Sequence, residues 1–237
     1  MGNAIKPHIK NAEKTGVLQV ANTGLTEFPR EMFQLVNNLR TLDISNNKIK
    51  ELPPALEQFK NLKNLTAVQI HITSLPSEMG SLKKLECVNF SMNELTSLPD
   101  SFASLVNLRT INLSNNKFRE FPAVFTHMKR LEMLDLSHNK LTAVPDHVKD
   151  VSAIEINLNQ NQISSLSEAI SECSKLKVLR LEENCLQLTA IPDKILTDSQ
   201  ISLLAIEGNL FESKDLHRRE GWEMYMERFT ATKKKLY

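Results

Sequence analysis

The sequence contains few aromatic residues, few glycines and almost no excess charge. Aromatic residues make up 5% of the 237 positions, so any core must be built mainly from aliphatic side chains. Six glycines leave little from which to build a phosphate-binding loop. The 29 basic and 28 acidic residues give a net charge of +1, too small to attract nucleic acid by its field. We therefore expect no nucleic-acid partner.

Long apolar runs and a disulfide framework are missing as well. No stretch approaches the roughly 20 apolar residues that span a bilayer, and MGNAIKPHIK lacks the apolar block of a secretory signal. The composition, 41% hydrophobic and 24% charged, is that of a globular protein. Cys87, Cys173 and Cys185 are odd in number and widely spaced, which is typical of a reducing compartment. These features predict a cytoplasmic location.

Patterns that would support catalysis are also missing. The six histidines and three cysteines form no His-x-x-x-His or Cys-x-x-Cys pair. An enzyme needs a nucleophile, a base or a metal set brought together in space, and no such set is visible in the sequence. We expect a protein without catalytic residues, metal or cofactor.

What the sequence does have is a repeated pattern, L-x-x-L-x-L-x-x-N-x-L. From Asn93 onward its asparagines are spaced by 23, 23, 22, 23 and 25 residues. This pattern at 20–29 residues is the signature of the leucine-rich repeat. We count nine units, which begin at Thr15, Leu39, Leu62, Leu85, Leu108, Leu131, Ala153, Leu176 and Ile201.

Each position in the repeat has a physical reason. The L-x-L segment alternates, which predicts a short strand with its leucines facing inward. Neighbouring units stack these strands into a parallel sheet, since one unit alone cannot bury its leucines. The asparagine amide satisfies backbone groups of the turn and its neighbour, so it is structural. The proline that follows forbids a ladder hydrogen bond and predicts a short helical or irregular outer segment. The fold class is α/β, a leucine-rich repeat solenoid shaped as a horseshoe, with the sheet on its concave face.

Three places depart from the pattern. Ile70 occupies the asparagine position of its unit, which predicts a looser turn, poorer by roughly 1–3 kcal/mol. Ser165 and Glu168 are spaced like a helix capping box, which predicts a helical turn in a unit that lacks the proline. The last unit is preceded by extra residues, which we expect to bulge on the outer face.

The ends of the repeat array need caps, or the terminal leucines would meet water. We divide the single domain 1–237 into an N-terminal cap at 1–14, nine repeats at 15–211, and a C-terminal helical cap with a basic tail at 212–237. The C-terminal segment carries four large apolar residues at helical spacing, which either seal the last repeat or form an aromatic binding patch: Trp222, Tyr225, Met226 and Phe229.

The concave face is the candidate binding surface. Its small polar middle consists of Asp43, Asn89, Asn112, Asp135 and Asn157. Toward the C-terminus the face becomes acidic, which suits a basic peptide or the basic face of a partner. The residues of this part are Glu155, Arg180, Glu182, Glu183 and Glu207. The alternative is a surface that is merely solvated.

The units with L-x-x-L-P at a 23-residue spacing resemble the intracellular class of leucine-rich repeat proteins, which includes Ras-pathway scaffolds and the repeat arrays of cell-polarity proteins. The similarity extends to EKTGVLQVANTGLTEFP, LNLNQNQIS, LRLEENCLQL and the C-terminal YMERFTATKKK. The resemblance implies a small stand-alone repeat protein without an attached catalytic domain. It does not imply a particular ligand.

The N-terminus begins Met-Gly-Asn, like an N-myristoylation signal in which the amine of Gly2 accepts the acyl chain. The pattern requires Ser or Thr where this chain has Lys6. A single myristoyl chain holds a protein on a membrane only marginally, so a second signal is needed. The lysines at 233–235 are a candidate, although they lie roughly 40 Å away at the other end of the stack. The alternatives are an ordinary N-terminus and a solvated basic tail.

These observations predict a monomeric, non-enzymatic scaffold or adaptor for protein–protein interaction, which binds a partner of unknown identity through its concave sheet. Two alternatives stay open. One is an adaptor tethered to a membrane by myristoylated Gly2, with peripheral membrane contact. The other is a regulatory partner of a phosphatase or a small GTPase.

Overall fold

The strands of this protein are short and regularly spaced along the chain. The computed structural model describes residues 2–233, with side chains from Ile5 onward. Its strands are Val17–Gln19 (β1), Thr41–Asp43 (β2), Asn64–Thr66 (β3), Cys87–Asn89 (β4), Thr110–Asn112 (β5), Met133–Asp135 (β6), Ala143–Val144 (β7), Glu155–Asn157 (β8), Ser165–Leu166 (β9), Val178–Arg180 (β10) and Leu203–Ala205 (β11).

Nine of these strands, one from each unit, form a single parallel sheet in the order β1-β2-β3-β4-β5-β6-β8-β10-β11. Equivalent residues pair in register, as Leu42 does with Leu65 and Ile111 with Leu134. From β1 to β10 the middle residue of each of these strands is buried, while its two neighbours are at least partly exposed on the concave face. The predicted solenoid, with its parallel sheet, is confirmed.

The outer halves of the units are short 3₁₀ helices. Six of them begin directly after a proline that holds an extended conformation. Neighbouring 3₁₀ helices pack against one another, so the outer face is a second stacked layer. Their bounds are Arg30–Leu35, Pro54–Gln58, Ser77–Ser81, Asp100–Ser104, Ala123–His127, Asp146–Asp150, Glu168–Glu172, Leu188–Ala190 and Ser213–Arg218.

The asparagines form the predicted ladder. Asn116 accepts a hydrogen bond from the N–H of Leu95 in the preceding unit, at 3.0 Å. Its amide group donates to the carbonyls of Phe90 and Leu113, each at 3.0 Å. The same three kinds of contact recur at Asn47, Asn93, Asn139, Asn161, Asn184 and Asn209.

The ladder lacks one rung at Ile70. The Ile70 side chain is fully buried and apolar, so it offers no hydrogen-bond acceptor to the N–H of Ile49 in the preceding unit. Asn93 makes one additional contact in this region, because its side-chain oxygen accepts from both Ile70 N–H at 3.1 Å and Ile72 N–H at 3.3 Å. Strand β3 of this unit still pairs in register with β2 and β4, and Ile70 packs in the apolar core.

The residue just before the ladder position has a left-handed backbone in every unit. Asparagine, which tolerates positive φ better than most residues, occupies it three times. Gly208 occupies it once, with φ of 74°. The others are Gln69, Met92, His138, Gln160 and Glu183. The first asparagine of the repeated Asn-Asn pair therefore serves the backbone turn and the second serves the ladder.

The prediction of a capping box between Ser165 and Glu168 is wrong. Ser165 lies in strand β9, which pairs in parallel with β7 on the outer side. The extended chain continues to Ser167, whose N–H donates to Val144 O at 3.0 Å. Ser167 is therefore the cap, and its hydroxyl accepts from Ala169 N–H at 3.1 Å.

Helices lie at both ends of the stack. Helix α1, Gly2–Thr15, buries Ile5, Ile9 and Ala12 against the first unit. Helix α2, Lys194–Thr197, is formed by the extra residues before the last unit and packs against α3, Trp222–Lys233.

The aromatic residues of α3 mainly seal the last unit. Tyr225 is buried, and its hydroxyl accepts from Leu204 N–H at 3.0 Å. Burial raises the pKa of this phenol, although the bond from Leu204 works in the opposite direction. Trp222, Met226 and Phe229 are partly buried and pack against the same core.

Candidate functional site: the concave face

The polar residues at the ends of the central strands have one side-chain oxygen committed to the backbone. Each accepts from the N–H two residues later, a local turn contact that fixes the side chain. The distances are 2.9 Å for Asp43, 3.0 Å for Asn89, 2.9 Å for Asn112, 2.9 Å for Asp135 and 3.1 Å for Asn157.

This commitment leaves other polar atoms available for a ligand. Within the described residues, the amide NH₂ groups of Asn89, Asn112 and Asn157 have no hydrogen-bond partner, and neither does the second carboxylate oxygen of Asp43 or Asp135. These groups offer donors and acceptors at a spacing of roughly 4.8 Å from strand to strand. Their orientation is fixed before any partner arrives, which lowers the entropic cost of binding.

The structure brings three of the predicted residues into one depression of about 170 Å³. Asn89, Asn112 and Asp135 line it together with residues that the sequence analysis did not single out: Thr66, Cys87, Thr110 and Met133. Met133 is an exposed apolar side chain, 40% accessible, at one edge. Cys87, Thr110 and Met133 are the first residues of β4, β5 and β6, and Thr66 is the last residue of β3. Strand alternation was the signal for all four, because the first and third residues of a three-residue strand face the same way.

The C-terminal part of the concave face is partly neutralised. Arg180 Nε lies 2.8 Å from Glu155 Oε1, and both side chains are partly shielded from solvent. Glu182 accepts from the amide of Asn159 at 2.6 Å, and Glu207 accepts from the hydroxyl of Ser213, also at 2.6 Å. Glu183, held at φ of 54°, is exposed. The four carboxylates still exceed the one guanidinium, so this part remains acidic.

The predicted lipidation site and basic tail lie at opposite ends of the chain. Gly2 is the first residue of α1. Lys233 ends α3, with its ammonium 4.6 Å from the ring centroid of Phe229. Lys234 and Lys235 lie outside the described residues.

The buried and reactive groups of residues 2–233 form no further site. Within this range no three His, Cys, Asp or Glu side chains are grouped so that they could hold a metal ion. No helix in the same range is long and apolar enough to cross a bilayer. Cys173 is buried, and desolvation, followed by the nearby Glu172 and Asp150 carboxylates, raises the pKa of its thiol to about 12.

Family models agree with the stacked units. The model described as leucine rich repeat matches residues 15–71 and 61–118, and the model described as leucine rich repeats (2 copies) matches residues 106–149. Together they span more than half of the chain. The chain belongs to the leucine-rich repeat family. Proteins of this family generally mediate protein–protein interaction, and the fold is typically a non-enzymatic binding scaffold.

Known proteins are similar over parts of their length. A protein of Arabidopsis thaliana with leucine-rich repeats and a ubiquitin-like domain is 39% identical over 51 residues, which are 22% of this chain and 14% of that protein. The solved structure of an internalin from Listeria monocytogenes has a TM-score of 0.72 at 19% identity, over 90% of this chain and 61% of its own. A plant peptide hormone receptor in complex with RGF2 has a TM-score of 0.68 at 21% identity, over 83% of this chain and 34% of its own.

The chain thus spans less than two thirds of each of these proteins. At such identities the solved structures show a shared fold and no more.

Proposed function

We propose that this protein is an interaction scaffold that binds a partner protein through the central depression of its concave sheet. The observation that carries the proposal is the depression lined by Asn89, Asn112 and Asp135, where fixed polar groups surround a partly apolar floor. Protein interfaces combine such polar groups with an apolar centre. The solved plant peptide hormone receptor that shares this fold is in complex with RGF2, which is consistent with a protein or peptide ligand.

The test places a bulky charge in the depression without breaking the fold. Thr110 lies in β5 and lines the depression, and within the described residues its hydroxyl forms no hydrogen bond, so Thr110→Arg fills the site at little cost to stability. Proteins captured from cells by the wild type are compared by quantitative mass spectrometry with those captured by the variant. We expect the specifically captured partner to be lost.

The matched control carries the same substitution on the outer face. Ala123 begins a 3₁₀ helix and is exposed, so Ala123→Arg adds the same charge and bulk away from the sheet. This variant should keep the partner. Equal capture by wild type and Thr110→Arg would reject the concave depression as the binding site.

The acidic C-terminal part of the concave face supports a second candidate, regulation of an enzyme such as a phosphatase or a small GTPase. Glu183 is exposed and held by the backbone turn, while the Glu182 carboxylate already binds Asn159. Reversing the charge of both residues should abolish capture of a partner with a basic face. Unchanged capture would exclude this patch.

Membrane tethering through Gly2 is a separate candidate, favoured by its position directly after Met1 and at the outer end of α1. The intact mass of the protein isolated from eukaryotic cells decides it. A mass increased by one myristoyl group supports the tether, and the mass of the unmodified chain excludes it.

The three cysteines are all unpaired, which supports a reducing compartment for this chain. Cytoplasmic residence is therefore part of the proposal. Imaging of the tagged protein in cells would test it, and a secreted protein would contradict it.

A further inference from the structure

One lateral edge of the solenoid is strongly basic. This edge lies where each unit passes from the outer face into its strand. In units two to eight it is formed by three positions, namely the two residues that precede the first residue of the unit and the one residue that follows it. Ten exposed basic side chains lie there, and we call them the basic edge: Arg40, Lys60, Lys63, Lys83, Lys84, Arg109, Lys129, Arg130, Lys175 and Lys177.

The net charge of the chain does not reveal the excess of positive charge on this edge. The same positions contain only two acidic residues, Glu86 and Glu132, so the edge has an excess of eight positive charges. The whole chain has a net charge of +1, and the rest of the molecule therefore has a net negative charge. A nearly neutral protein thus presents a strongly polarised surface.

Most of these cations are not neutralised within the molecule. Lys63 pairs with Glu86 at 2.7 Å and Arg109 pairs with Glu132 at 2.6 Å, which accounts for both carboxylates. The pKa of Glu86 is lowered by its hydrogen bond and ion pair with Lys63. The other basic side chains that make contacts on this edge donate to neutral hydroxyl, amide or carbonyl groups and, among the described residues, form no ion pair there.

Three of the cations are held in a row by the repeat. Lys84 donates to the side-chain oxygen of Asn61 at 2.7 Å, and Arg130 donates to that of Asn107 at 2.9 Å. Lys175 donates to the carbonyl of Lys129 at 3.2 Å. The three occupy the same position two units apart, so they are separated by roughly 10 Å along the stack.

The chemistry of the edge favours a protein partner. Val106 and Ile154 lie among the cations and are exposed by 49% and 44%. Aliphatic side chains between charges are typical of protein interfaces. None of these positions in units two to eight is aromatic, so the edge has no platform on which nucleic-acid bases would stack.

The position of Gly2 argues against a membrane as the main ligand of this edge. Ile5, one turn after Gly2, lines a cavity of about 470 Å³ with Leu25 and Phe28, which follow strand β1. The basic edge instead precedes the strands. An acyl chain on Gly2 would therefore start from the opposite side of the stack.

We propose that the basic edge docks an acidic segment of a second protein, at a surface distinct from the concave depression. The row from Arg40 to Lys177 extends over seven units, roughly 29 Å. An extended chain of about nine residues covers that length. Carboxylates spaced along it would meet the unpaired cations, with attraction that depends on ionic strength.

The experiment uses the full chain and a fluorescent peptide of about ten residues in which Asp and Glu alternate with Ala and Val. Anisotropy at low salt should show binding that weakens steeply as salt is added. The triple variant Lys84→Glu, Arg130→Glu and Lys175→Glu should weaken binding by at least about tenfold.

The control reverses three exposed charges on the other side of the strands: Lys50→Glu, Arg119→Glu and Lys140→Glu. Net charge changes equally in the two variants, and both leave the concave depression untouched, so the outcome is independent of the function proposed above. The control should bind the peptide with an affinity within about threefold of the wild type. If the edge variant does not fold, the triple Gln variant at its three positions replaces it with the same expected direction of change.

Several results would overturn the proposal. One is a peptide that does not bind at low salt, and another is an equal loss in the two variants, which would show that only net charge matters. Tighter binding to phosphatidylserine vesicles or to a single-stranded oligonucleotide than to the peptide would assign the edge to a lipid surface or a nucleic acid instead.

Discussion

At the scale of single residues, two adjacent positions share the work of each inner turn. The first takes a left-handed backbone and the second places an amide between neighbouring units. This division explains why the pair Asn-Asn recurs, since asparagine is suited to both tasks for different reasons. The sequence pattern predicts the second role, because a buried amide must be satisfied. The pattern does not predict the left-handed backbone of the first position, because exposed residues of many types occupy that position.

Removing one rung of the ladder should be costly. Asn116→Ala leaves the N–H of Leu95 and the carbonyls of Phe90 and Leu113 without their side-chain partner. We expect the free energy of unfolding to fall by about 2–3 kcal/mol, measured by denaturant titration. The neighbouring Lys117→Ala removes only an exposed ion pair to Glu94 and should cost less than about 1 kcal/mol. Equal losses would show that the ladder does not stabilise the stack.

The left-handed position offers a test in the stabilising direction. Met92 has φ of 57° and is 49% exposed, so its side chain gains little from packing. Met92→Asn should raise the free energy of unfolding by about 0.5–1 kcal/mol, because asparagine tolerates this backbone better. The reverse change at the equivalent site, Asn115→Met, should lower it by a similar amount. A change of the same sign in the free energy of unfolding of both variants would contradict the explanation.

At the scale of elements, most boundaries follow from the repeat and the exceptions follow from local pairing. Ser165 was predicted to cap a helix, but pairing of β9 with β7 extends the chain by two residues and moves the cap to Ser167. The short helix α2 could be predicted only as an insertion, because its packing partner α3 is distant in sequence. The prolines that precede six outer 3₁₀ helices were informative because proline excludes a ladder bond wherever it occurs.

One guanidinium links the C-terminal helix to three backbone carbonyls, in addition to its apolar packing. Arg228 donates to the carbonyls of Ile195, Leu196 and Ile201 at 3.0, 2.8 and 3.1 Å, and its pKa is lowered by burial. Arg228→Ala should cost about 1.5–3 kcal/mol and accelerate amide hydrogen exchange in α3 but not in β5. Arg228→Lys should restore only part of the loss, because an ammonium lacks the planar fork. Unchanged exchange in α3 would show that the helix is held by apolar packing alone.

At the scale of the whole molecule, stacking fixes the fold, and the proposed recognition depends on the residues that vary between units. The fold class could be predicted from the inward leucines, because one unit cannot exclude water without the next. The candidate site could be predicted only in part. Asn89, Asn112 and Asp135 were identified from their register, but Thr110 and Met133 belong to the same depression and were missed. Which of the outward-facing positions line a depression depends on the shape of the folded surface. The repeat pattern carries no information on that shape.

The central claim is that a partner covers the concave depression, and the cysteines provide a direct measurement. Cys87 lines the depression, Cys185 is exposed outside it, and Cys173 is buried with a thiol pKa raised to about 12, so it should stay unlabelled in the folded protein. Alkylation of each thiol is followed by mass spectrometry with and without the captured partner. We predict that the partner slows labelling of Cys87 by at least about tenfold and leaves Cys185 unchanged. Labelling of Cys87 at the same rate in the complex would contradict binding at the concave face.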